Sequence, residues 1–79
     1  MNVEEKIREI VANHIGLPVE EVKSESYLQD DLNSDPLTMA DLVVSLEDEF
    51  KIEIPAEESQ KFEKVEDIVH FIADKLGEV

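Results

Sequence analysis

Cysteine and tryptophan are absent from this 79-residue chain, glycine occurs only at positions 16 and 77, and aromatic residues make up 5% of it. Without cysteine there is neither a disulfide framework nor a thiolate metal site, so apolar packing alone has to hold the fold. Gly16 and Gly77 lie too far apart to build a glycine-rich phosphate loop. Two histidines and scattered serines offer no pair at a spacing that suits a nucleophile and its base. The chain is therefore read as not an enzyme. No apolar run approaches the roughly 20 residues of a membrane span. The acidic start Met1-Asn2-Val3-Glu4-Glu5 lacks the charged-then-apolar layout of a signal peptide. The expectation is one soluble, cytoplasmic, monomeric domain over residues 1–79, with no room for a second core. A chain of this size buries only about 60–65% of the surface its unfolded form exposes, so modest stability is expected.

Basic side chains are scarce as well. Lysine and arginine total 7 against 21 acids, for a net charge of −14. The excess is concentrated between Glu20 and Glu58, where 13 acids face only Lys23 and Lys51. A field of this sign repels nucleic acid and anionic membranes and attracts proteins with basic patches. Acidity can also serve solubility alone, or imitate the charge of nucleic acid; its clustering in the middle of the chain favours a docking surface. Self-repulsion of this size predicts a melting temperature that rises from low to moderate salt, or with divalent cations, in a calorimetric scan. An unchanged value would contradict it.

What remains is helical in pattern. Asn2 is a capping residue with Glu5 three positions on, and Val3, Ile7, Ile10 and Val11 recur at the helical period until Gly16 and Pro18 close the first helix. His14, near that end, reads as a capping or surface residue. Residues 17–34 form a long connection in which Pro18–Val22 can make a single turn. Such a loop is expected to be pinned by Val22, Tyr27, Leu28 and Leu32, with the Tyr27 ring on the core and its hydroxyl near solvent. The second helix starts at Asp35-Pro36, an N-cap followed by a proline where the missing N–H costs nothing. Met39, Leu42, Val43, Leu46 and Phe50 run down one face, whereas Leu37 and Val44 leave that stripe and fall among Asp41, Glu47, Asp48 and Glu49. An apolar spot rimmed by like charge suits a protein contact.

Lys51-Ile52-Glu53-Ile54-Pro55 alternates like a strand but has no partner strand, so it reads as an extended connector with Ile52 or Ile54 buried. Ala56–Lys61 allows a short helical turn. The last helix runs from about Val65 to Leu76, with His70 on its exposed flank and Gly77 at its end. The expected fold is all-α: three substantial helices and one short one, joined by a long first loop and two shorter connections.

The stretch Asp31-Leu32-Asn33-Ser34-Asp35-Pro36-Leu37 joins that long loop to the second helix. Asp31-x-Asn33-x-Asp35 imitates the start of a helix–loop–helix calcium site, but Pro36 stands where such a loop requires glycine and Leu42 where it requires the bidentate glutamate. Calcium, and metal in general, is excluded there.

These residues, together with Asp41-Leu42-Val43, Leu46-Glu47-Asp48-Glu49-Phe50-Lys51-Ile52-Glu53-Ile54-Pro55, the aromatic at Tyr27 and Val65-Glu66-Asp67-Ile68, resemble the acyl carrier proteins over nearly the whole chain. The resemblance implies a small four-helix bundle that shelters a thioester-linked acyl intermediate in fatty-acid or related biosynthesis. It implies 4'-phosphopantetheine as cofactor and basic docking surfaces of acyl-processing enzymes as partners. By match to the family's docking helix, it implies Asp35, Leu37, Asp41, Val44, Glu47 and Asp48 as the partner-facing residues.

One departure bears on the chemistry. In the family an Asp-Ser-Leu motif carries the arm on its serine; here the matching residues are Asp35-Pro36-Leu37. Proline has no hydroxyl, so no phosphodiester can form at residue 36. Asn33 stands where the family has glycine, and asparagine tolerates the left-handed conformation. Ser34, two residues upstream, is a shifted candidate for attachment. Two readings stay open: a carrier whose attachment serine has been replaced, and a non-carrying acidic module that docks on basic partner surfaces.

Overall fold

The computed structural model describes residues 2–32 and 35–77, and its elements follow the sequence signals closely. α1 spans Val3–Ile15: the Asn2 side chain accepts the Glu5 amide at 2.8 Å, and Gly16, at φ 83°, closes the helix in the left-handed conformation. α2 spans Pro36–Phe50, α3 is the short Ala56–Ser59 and α4 is Val65–Leu76. Among the described residues between α1 and α2 lies one 3-10 turn, Val19–Glu21. There is no strand among the described residues, and no helix of theirs is long and apolar enough to cross a membrane. The fold class is the expected one, a small all-α bundle of three main helices and one short helix.

The core draws on every segment. Ile7, Val11, Leu42, Leu46, Val65, Ile68 and Ile72 are fully buried, and the long loop adds Val22, Leu28 and Leu32. α1 packs against both α2 and α4. Of the two isoleucines in the connector, Ile54 is buried and Ile52 half-buried.

Apolar anchors do not hold the long loop alone. The Arg8 guanidinium on α1 donates to the carbonyls of Val22, at 2.6 Å, and Val19, at 3.3 Å, and so closes the 3-10 turn. Further along, the loop backbone meets the start of α4: Leu28 N–H donates to Glu63 O, while Val65 and Glu66 N–H donate to Ser26 O and Ser24 O. Two donors at the head of α4 that would have no helical partner are satisfied in this way. The Asp67 carboxylate takes the amides of Glu63 and Lys64, each at 3.0 Å. Those two bonds, the Lys64 one foremost, hold its carboxyl below the ordinary aspartate range.

This pairing corrects the expectation for Tyr27. The loop is extended where Tyr27 bridges to Lys64, and extended backbone sends successive side chains to opposite sides. Ser26 and Leu28 therefore go inward, at 9% and 1% exposure, and Tyr27 goes outward at 42%. Its ring lies under the Lys64 ammonium, 5.1 Å from the centroid, instead of on the core. His14 is corrected too. It is half-buried, and its Nε2 pairs with Ser45 Oγ at 2.7 Å, joining α1 to α2 rather than capping its own helix. His70 is exposed, as expected.

Candidate functional site

The first turn of α2 forms as its residue types require. Asp35 has extended backbone (φ −100°, ψ 174°), and its carboxylate accepts the Thr38 amide at 2.7 Å. Pro36 occupies the first helical position. The Thr38 amide, and after it the Thr38 hydroxyl, hold the Asp35 carboxyl below the ordinary aspartate range. Thr38 is a residue that sequence reasoning missed, although the Asp35-x-x-Thr38 spacing matches that of an N-cap and its third helical residue.

Because folding lowers the Asp35 pKa, the stability it contributes is present above the unfolded value, about 3.9, and is lost as pH falls through the folded value. Asp35→Ala should therefore melt a few degrees below the parent at neutral pH. That gap should close as the pH drops below about 4, which thermal melts followed by circular dichroism across pH will show.

Down the outer face of α2, Leu37 and Val44 are 74% and 62% exposed, and Asp35, Asp41 and Asp48 are exposed beside them. Five of the six residues named from the docking-helix pattern thus share one solvent-facing strip. Glu47 differs. It is half-buried and its Oε2 accepts the Ile54 amide at 2.8 Å, so it fastens the connector to α2. The helix ends at Lys51, a left-handed residue (φ 57°) whose N–H donates to Glu47 O. Asn33 and Ser34, including the shifted candidate for attachment, lie outside the described residues.

Beside that strip a cleft of about 560 Å³ opens from α2 toward α3, with Pro36, Met39, Ala40 and Val43 on one wall and Ile54, Ala56 and Phe62 on the other. Gln29, Ser59 and Gln60 join a lining that has no ionisable side chain among the described residues. Phe62 is held there by the edge of Phe71 on α4, at 5.7 Å between centroids. Periodicity could not reveal this cleft, since its far wall comes from the connector and from the segment after α3.

The covalent arm of the family does not fit residue 36. Its pyrrolidine ring forms part of the cleft wall and carries no oxygen, and the Thr38 hydroxyl beside it is bonded to Asp35. The Asp31 and Asp35 carboxylates, the ends of the calcium-like pattern, are each bonded to a backbone amide, of Tyr27 and Thr38 respectively.

A family model described as the phosphopantetheine attachment site matches residues 5–72. The acyl carrier protein of Solidesulfovibrio magneticus is 38% identical over 78 residues, covering 99% of this chain and 100% of that protein. That of Nitratidesulfovibrio vulgaris strain Miyazaki F is 41% identical over 75 residues, covering 95% and 99%. Among solved structures, the acyl carrier protein of Enterococcus faecalis superposes with a TM-score of 0.77 at 35% identity, covering 91% of each chain. A candidate acyl carrier protein from Mycobacterium tuberculosis gives 0.88 at 28% identity, covering 94% of this chain and 99% of that one. On the matched family model, the full-length relatives and the shared helical bundle, this chain belongs to the acyl carrier protein family.

Proposed function

We infer that the chain works as a non-catalytic, monomeric, cytoplasmic carrier-type domain that presents the outer face of α2 to basic docking surfaces of acyl-processing enzymes, in fatty-acid or related biosynthesis, without taking 4'-phosphopantetheine at residue 36. The observation that carries this reading is the start of α2. Its cap and its strip of Asp35, Leu37, Asp41, Val44 and Asp48 are intact, while its first helical residue is a proline. Glu47 adds charge at the edge of the strip while it secures Ile54. Charge complementarity of this kind gives fast, oriented encounters with many partners without long-lived complexes.

The test is intact-mass spectrometry after incubation with coenzyme A and a phosphopantetheinyl transferase. The unaltered chain is expected to keep its mass. An increment of one phosphopantetheine group, mapped by fragmentation to Ser34 or to any other hydroxyl, would overturn the non-carrying reading.

A further inference from the structure

An uncharged cleft is out of keeping with its surroundings. Charged residues make up 35% of the chain, yet among the described residues none lines the space between α2 and α3. Acids stand next in sequence to several of its lining residues. Asp35 precedes Pro36, Asp41 follows Ala40 and Glu57 follows Ala56, and all three are exposed. A polar recess that shares Gln29, Gln60 and Phe62 with the cleft adds Asp30 and Glu63. The nearby Lys61 ammonium is paired with Glu58 at 3.5 Å, which reduces its offset to this field.

An occupant must therefore combine an apolar part with neutral or positive flanks. A free carboxylate or phosphate head at the mouth would be repelled. The volume, about 560 Å³, exceeds one side chain and suits two apolar anchors one helical turn apart. In this chain residue 36 is wall rather than tether, so nothing attached at that position competes for the space.

We propose that the α2–α3 cleft is an anchor pocket for a basic amphipathic helix of a partner protein, whose apolar side chains enter between Met39, Val43, Ile54 and Phe62 while its lysines or arginines meet Asp30, Asp35, Asp41 and Glu57. This rests on the docking reading above and gives it a second, apolar half. Acids alone would hold any basic surface; the cleft selects those that present apolar side chains at helical spacing.

The experiment uses the full chain and two labelled synthetic peptides, followed by fluorescence anisotropy. One peptide is an amphipathic helix of leucine and lysine; the other has the same charge with each leucine replaced by glutamine. The leucine peptide is expected to bind at least about tenfold more tightly, a difference of about 1.4 kcal/mol, and Ala40→Trp, which fills the mouth, is expected to abolish that preference. Both peptides should weaken as salt rises. Equal binding of the two overturns the pocket and leaves the acidic docking surface standing. Binding of neither overturns the docking reading itself. Displacement of the leucine peptide by decanoate, a single-chain anion, would make the cleft an acyl site and overturn the proposal. Should Ala40→Trp fold poorly, methyl resonances of the unaltered chain decide. Shifts at Met39 and Ile54 support the pocket, and shifts confined to Leu37 and Val44 overturn it.

Discussion

Replacing Pro36 by serine should turn a chain that gains no mass in the transferase reaction into one that gains a single phosphopantetheine group. The exposed first helical position and its Asp35 cap are already in place; the hydroxyl is not. Pro36 is exposed at the first position of α2, so a serine there would present its oxygen to solvent. The Asp35 cap would stay, because it bonds Thr38 and not residue 36. A phosphodiester at this point would sit at a helix N-terminus, where unpaired amides and the macrodipole favour an anion. The substitution should lower stability slightly, by about 0.4–1 kcal/mol, because proline restricts the unfolded chain and fits the native backbone. Intact mass before and after the reaction reads the gain, and a melt reads the cost. A Pro36→Ser chain that folds and stays unmodified would mean that the surface a transferase reads has been lost along with the serine, in favour of a purely docking role.

The largest stability effect is expected at Leu46. It is fully buried with Ile7, Leu42, Ile68 and Ile72, and it lies on the helix that carries both the docking strip and one wall of the cleft. Truncation to alanine removes apolar contact and leaves a void, at about 2–5 kcal/mol for a buried leucine. A domain of this size has only several kcal/mol in hand. Leu46→Ala should therefore lower the melting temperature by more than ~10 °C and leave a substantial unfolded fraction at low salt, where self-repulsion is least screened. Urea titration gives the free energy directly. A loss below about 1 kcal/mol would contradict the central place of Leu46 in the core.

The helices were legible because each announces itself within a few residues. Asn2 with Glu5, Asp35 with Pro36, and Gly16 and Gly77 at the closing ends are local signals, and local hydrogen bonds carry them out. The inward stripe of α2 and its two outliers, Leu37 and Val44, followed from the 3.6-residue period, and their exposure agrees with it. Tyr27 was misread because an aromatic in a loop has no period of its own. Its direction depends on the pairing of the loop with residues 63–66, a contact between segments far apart in sequence. Glu47 and Ser45 carried no local sign of their partners either, since Ile54 lies beyond the end of α2 and His14 on another helix.

By itself, then, the sequence determined the four helices, the acidic strip on α2 and the absence of a hydroxyl at residue 36, for each depends on residue type and short-range spacing. The tertiary structure alone decided which residues the strip keeps free and what lies behind it. Packing the connector and the segment after α3 against α2 draws the Glu47 carboxylate onto Ile54 and brings Met39, Val43, Ile54 and Phe62 around one uncharged cleft, while pairing of the long loop with residues 63–66 turns Tyr27 outward. The physical reason is that such contacts are set by which apolar surfaces the helices bury together, and that burial joins residues with no shared period.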